Sequence, residues 1–209
     1  MSWDFDDQDN EGFSIGRFFS ETFTPRLILD TKVIRAYVRD PRFRELMARC
    51  GDMRAVDAIY LKALKIAEYN VGRALFLSLM GTLEHENIGF KIPVLGVLQV
   101  PLTFEKDSLF SARKMNLPSN IYPDTPPEGD KDKLQHFFAS AYLSFATESP
   151  EFAKESGNLV EWGEAKFIVG GADDPRDKRS NGQGDAFGRD LAVVKTLLPS
   201  DYMRLPNEK

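Results

Sequence analysis

Asp132, His136 and Ser140 stand four residues apart, so a helix at 3.6 residues per turn puts a carboxylate, an imidazole and a hydroxyl on one face. Those groups suit metal ligation or proton transfer. Neutral imidazole and carboxylate are both metal ligands, and a histidine gains or loses its proton near neutral pH. Phe137, Ala141 and Ser144 fall beside this row, while Leu134, Phe138 and Tyr142 turn elsewhere. A second stripe lies nearer the C-terminal end, where Asp177, Asn181, Gly184, Gly188 and Leu191 recur at steps of four, three, four and three. Gly184 and Gly188 remove side chains where another helix could approach closely, and the helix carrying His136 is the natural partner. Imidazole, carboxylates and an amide are then expected in one half-buried space. The candidate catalytic groups are His136, Asp132, Asp177 and Glu164, held by a network of Asn181, Ser140, Gly184 and Gly188.

Glu84-His85-Glu86 contains the other histidine of the chain. If that piece is extended, neighbouring side chains point apart, so His85 or Glu86 joins His136 in a binuclear arrangement only where the backbone turns. The candidate metal ligands are thus His136, Asp177, Glu164, His85 and Glu86, and a divalent ion is the cofactor they would take. A purely structural reading stands beside this one. Asp132 and Asp177 each fall in a first helical turn, where the helix dipole favours a carboxylate without any catalysis. His136 and Asn181 could equally satisfy each other's hydrogen bonds and fix helix register. Other chemistries fail on spacing. Gly182-x-Gly184-x-x-x-Gly188 is not a dinucleotide fingerprint, and the chain has no P-loop, no nucleophile elbow and no EF-hand pattern in Asp173–Arg179.

The elements that must position these residues are helical. Thr31 is expected to cap a short helix carrying Val33, Ile34, Tyr37 and Val38; Asp40-Pro41 then restarts the chain as cap and first helical position. Phe43, Leu46, Met47 and Cys50 follow at helical spacing, with Gly51 as the stop and Cys50 as a small core residue. From a cap at Asp52, apolar positions keep helical period as far as Met80, which predicts one long central helix over 53–80, about 42 Å at 1.5 Å per residue, kinked at Gly72. Residues 88–104 change period and are expected to form a small extended or hairpin excursion, its prolines confined to edges. A short helix is expected over Ser108–Asn116, another after Ser149-Pro150, one through Glu161, Trp162, Glu164 and Phe167 to Ile168, and a last one from Pro175, capped by Asp174.

Taken together, Asp132-Lys133-x-x-His136-Phe137, the small-residue helix that follows, Glu164, and Asp177-x-x-x-Asn181-x-x-Gly184-x-x-x-Gly188 resemble the pattern of VanZ-like proteins and of the DUF2279 lipoprotein family. The likeness covers about residues 130–190. It implies a shared polar cluster and a bacterial membrane or envelope setting, periplasmic or peripheral, without implying a particular reaction. The chain departs from those families in having neither the transmembrane helices of the first nor a lipoprotein signal, which leaves a cytoplasmic location open as well.

Composition narrows the class further. With 209 residues, 42% hydrophobic and 28% charged, the profile is that of a globular chain large enough for a real core. The division expected is an acidic, partly mobile N-terminal segment over 1–24 and a single helical domain over 25–209, mainly α in class. A net charge of -5 and a pI near 5.2 argue against a nucleic-acid surface. One cysteine permits no internal disulfide and no multi-cysteine zinc site. The longest apolar window, Ile92–Phe104, is interrupted by Pro93, Gly96 and Pro101 and is too short to span a bilayer, so no transmembrane segment is expected and any membrane association would be peripheral. The expected function is a non-catalytic, envelope-associated or assembly protein that meets a protein partner or a second copy of itself. The competing expectation is a metal-assisted hydrolase, with His136 and Asp177 as ligands or acid/base groups, Asp132 and Glu164 supporting, and Asn181 orienting substrate or water.

Overall fold

Proline and cap residues set where the helices begin. In the computed structural model, which describes residues 25–84, 87–92, 96–101, 105–148, 167–168 and 174–204, α1 runs Pro25–Arg39 and α2 Pro41–Cys50. Thr31 is therefore not a cap. It is buried inside α1, whose first turn is instead occupied by Pro25, a residue with no N–H to leave unpaired there. Asp40 does cap α2, accepting the Arg42 N–H at 2.9 Å ahead of Pro41. Gly51 ends it at φ +86°, ψ 164°, a region essentially closed to residues with a Cβ, while donating its N–H to Met47 O. Along the stripe from Phe43, burial fades through Leu46 and Met47, so Cys50 is exposed and not the core residue expected.

The predicted long helix is two helices, α3 (Asp52–Ile66) and α4 (Val71–Thr82), which pack against one another. The chain reverses through Ala67–Asn70, with Glu68 and Tyr69 at φ 54° and 65°, Tyr69 N–H donating to Leu64 O and Asn70 capping α4 on the Arg73 N–H at 3.0 Å. Gly72 lies in the first turn of α4 and kinks nothing. The apolar positions keep helical period across the turn because both helices bury that face against the same core, so period alone could not reveal the break. Asp52, expected as a cap, is the first residue of α3, and its carboxylate accepts the Ser119 and Asn120 N–H groups, both at 2.7 Å.

Strands β1 (Asn87–Ile92) and β2 (Gly96–Pro101) pair antiparallel, in register from Asn87 with Pro101 to Ile92 with Gly96. Helix α5 (Asp107–Met115) follows, then α6 (Asp132–Glu148), the two-residue strand β3 (Phe167–Ile168), α7 (Pro175–Val193) and a 3-10 turn at Pro199–Asp201. Phe167–Ile168 is thus not the end of a helix. It pairs with Phe90 and Gly89 on the free edge of β1, giving the order β2-β1-β3. The expected helix after Ser149-Pro150, the stretch Glu161–Glu164 and the N-terminal segment 1–24 lie outside the described residues.

Seven α-helices are present among the described residues, and the fold is mainly α. One apolar core joins α1 to α4, α6 and α7. Phe187 of α7 is its hub: its ring stacks on Phe137 at 5.3 Å and meets Tyr60 at 5.4 Å and Tyr202 at 5.3 Å. Such pairs contribute about 0.5–1.5 kcal/mol each beyond area burial. The C-terminal carbonyls of α4 are met by arginines. Arg35 donates to Met80 O at 3.0 Å, and Arg113 donates to Gly81 O at 3.1 Å and Leu83 O at 2.6 Å. Both guanidiniums, with that of Arg39, converge on Glu105; burial, then the charge of Arg113, pushes Arg35 down to about 10. No helix among the described residues is long and apolar enough to cross a membrane.

Candidate functional site

Helices α6 and α7 meet backbone to backbone at the two glycines. A Cβ on Gly184 would stand 2.2 Å from Phe137 O, and one on Gly188 would stand 2.2 Å from Ala141 O. Only hydrogen fits at either place. Further along the pair, Ser144 Oγ–H donates to Asp185 O at 2.9 Å. This close contact determines what happens just N-terminal to it, where the first turns of both helices come together.

There the two sequence stripes join. His136 Nδ1 lies 3.2 Å from Asn181 Oδ1, and Ser140 Oγ–H donates to the same oxygen at 3.1 Å. The opposite ring nitrogen, Nε2, faces Asp177 Oδ1 at 3.5 Å. Asp132, His136 and Asp177 each offer one donor atom within 4.8 Å of the other two, and all three residues are half-buried. The structure therefore brings Asp132, His136, Ser140, Asp177, Asn181, Gly184 and Gly188 into one junction. Glu164, His85 and Glu86 lie outside the described residues.

The sequence pattern assigns Lys133 no role of its own, yet it is the central group. It lies one and two steps of four before Phe137 and Ala141, on the row pressed against α7, so its side chain is only 2% exposed. That spacing is the signal. Its ammonium lies 2.6 Å from Asp177 Oδ1, 2.8 Å from Asp132 Oδ2, 3.3 Å from Asp130 Oδ1 and 3.4 Å from Asp174 Oδ2. Burial pulls the Lys133 ammonium down; hydrogen bonds to Asp132 and Asp177, with the charges of Asp132 and Asp130, more than offset this and hold it above its ordinary value.

Arg176 completes the outer side, reaching Asp130 Oδ2 at 3.1 Å and Asp174 Oδ2 at 2.9 Å. Asp174 also caps α7 on the Arg176 N–H at 2.8 Å; that bond, followed by the guanidinium, lowers its carboxyl to about 2. Burial acts the other way on Asp130 and raises it despite Lys133 and Arg176. Asp130 is held by the loop that Gly129 permits at φ +90°, where its N–H donates to Ser119 O.

The chain matches no family model, no curated protein and no solved structure in comparisons with known proteins. The fold and the site define its class on their own terms: a mainly helical protein whose helices α6 and α7 are held by an Asp–Lys–Arg–His–Asn cluster at their first turns and by glycine contact just beyond it.

Proposed function

We propose that this chain is a non-catalytic assembly protein, associated with the bacterial envelope as the VanZ-like resemblance implies, in which the cluster locks α6 on α7 and the rigid helical body meets a protein partner or a second copy. The observation that supports this is the Lys133 ammonium, buried between Asp177 at 2.6 Å and Asp132 at 2.8 Å on the adjoining helices. A cation so placed ties two helix N-termini and offsets carboxylates that would otherwise repel each other.

Lys133→Met keeps the stem and removes the charge. Breaking a buried ion pair by deleting one partner costs about 3–5 kcal/mol, so this variant is expected to unfold at markedly lower urea than the wild type. Light scattering on the purified chain, with cross-linking and capture from its own cell extract, tests the assembly role. A defined oligomer or complex is expected; a strict monomer that retains no partner would overturn the proposal. The hydrolase reading requires, beyond a bound ion, turnover. Esterase and phosphodiesterase activity that depends on Mn2+ and vanishes in His136→Ala would replace the assembly reading.

A further inference from the structure

We infer that Asp132, His136 and Asp177 form a binding site for one divalent transition-metal ion that bridges the first turns of α6 and α7. This goes beyond the assembly reading and does not depend on it. Four features of the junction carry the inference.

The first is the separation of His136 Nε2 from Asp177 Oδ1, 3.5 Å. A charge-assisted hydrogen bond between nitrogen and carboxylate is shorter, about 2.7–2.9 Å. Two ligand atoms that each stand about 2.1 Å from one metal ion are about 3.0–3.4 Å apart at octahedral to tetrahedral angles. The contact is thus long for a hydrogen bond and close to the span of two ligands on one ion, with the Asp132 carboxylate within the same 4.8 Å group.

The second is the orientation of the imidazole. Nδ1 faces Asn181 Oδ1, which is itself fixed by Ser140 Oγ–H. With the Nδ1 proton directed at that oxygen, Nε2 turns its lone pair toward the carboxylates, the arrangement by which outer partners hold a metal-ligating histidine. The third concerns the carboxylate edges. Lys133 takes Asp132 Oδ2 and Asp177 Oδ1, while Asp132 Oδ1 and Asp177 Oδ2 carry no hydrogen bond or ion pair among the described residues. Asp177 Oδ1, the oxygen that faces His136 Nε2, is also the one nearest Lys133, so an ion held between the imidazole and the two carboxylates would share that oxygen with the ammonium or take the open Asp177 Oδ2, with Asp132 Oδ1 open on the other side.

The fourth is charge. Four carboxylates, Asp130, Asp132, Asp174 and Asp177, are in ion contact with two permanent cations, Lys133 and Arg176. The carboxylates outnumber these cations by two, and one divalent ion would offset that excess. An imidazole beside two carboxylates favours Zn2+, Mn2+ or Fe2+ over Mg2+ or Ca2+, which prefer all-oxygen sites.

The test uses the full chain, stripped with chelator and titrated with Co2+ and Zn2+. Calorimetry should show one ion per chain, and the visible spectrum of Co2+ should show a four- or five-coordinate site bearing one nitrogen ligand. Asp132→Asn lies at the half-buried start of α6 and keeps its shape; it is expected to weaken Zn2+ binding at least tenfold, as is the near-isosteric His136→Gln. Asn181→Ala, which frees the ring, should weaken it by about 10–100-fold. Circular dichroism establishes that each variant is folded. Folded wild type that takes up no Co2+ or Zn2+ would overturn the inference. So would stoichiometric binding that survives Asp132→Asn and His136→Gln but is lost in His85→Gln.

Discussion

A methyl group at either clamp glycine should separate α6 from α7, and the geometry gives the size of the effect. At Gly184 and at Gly188 the added Cβ would sit 2.2 Å from a carbonyl oxygen of α6, backbone that cannot swing aside as a side chain can. Relieving each contact moves the helix axes apart by on the order of 1 Å, which also loosens the Phe137–Phe187 stack. Overpacking of this kind costs about 1–3 kcal/mol or more, against a gain of about 1 kcal/mol from replacing glycine by alanine in a helix. Because the clash is with backbone that cannot give, the upper end of that cost applies, and each variant, Gly184→Ala or Gly188→Ala, is expected to lose about 2 kcal/mol net, equivalent to a fall of about 4–8 °C in Tm for a chain of this size. Gly182 supplies the internal control. It lies on the same helix with nothing among the described residues within 4 Å of its built Cβ, so Gly182→Ala should gain about 0.5–1 kcal/mol. The double variant Gly184→Ala/Gly188→Ala should cost less than the two singles together, because the first methyl opens room for the second. Urea unfolding followed by circular dichroism reads all four. If Gly184→Ala proved as stable as Gly182→Ala, the close apposition of α6 and α7 would be refuted, and with it the geometry of the whole junction.

Tyr69, largely exposed and at φ 65°, is held in a conformation that costs an L-residue roughly 1 kcal/mol, so Tyr69→Gly should raise the urea midpoint even though glycine is ordinarily destabilising. Acid should weaken the fold below about pH 4. Asp40, held chiefly by the Arg42 guanidinium and then by its cap bond, and Asp174, held by its cap bond and then by Arg176, both lie near 2, below the ordinary carboxylate value, so their stabilisation is present above that value and is lost as pH falls toward 2; Asp130, raised by burial, acts in the opposite sense. Asp40→Asn/Asp174→Asn keeps both caps and should flatten the pH dependence of the midpoint between pH 4 and 2. Exposed Cys50 should react with a thiol reagent in the native protein at a rate near that of the urea-unfolded chain, where a core cysteine would be protected.

How much of the fold is legible in the sequence follows from the range over which each signal acts. Caps and stops are local: Asp40-Pro41, Gly51 and Asp174-Pro175 mark helix boundaries through a single side chain or a single φ angle, and the structure places them there. The turn at Ala67–Asn70 is also local, but Asn70 is a weak mark inside a strong apolar period, and the period masks it because α3 and α4 bury one common face. Phe167–Ile168 illustrates the opposite case. Its conformation is set by the unpaired edge of β1, nearly eighty positions earlier in the chain, which no helical window contains.

The junction shows why a site can be half legible. His136 and Asn181 stand out because polar groups interrupt apolar helices there, and their meeting needs only the glycines to bring the stripes together. Lys133 does not stand out, because lysine is expected at the surface and a charge beside Asp132 resembles a solvated helix start. What buries it is long-range. Asp177 and Asp174 arrive on another helix and supply the counter-charge, without which desolvation would expel the ammonium. The glycine contacts control that arrival: a separation of about 1 Å at Gly184 would lengthen the Lys133–Asp177 contact beyond ion-pair optimum and admit water to the carboxylates. Clamp and cluster are therefore one mechanical unit. Gly184→Ala should reproduce part of the Lys133→Met defect, and the double variant Lys133→Met/Gly184→Ala should fall short of the two losses added together.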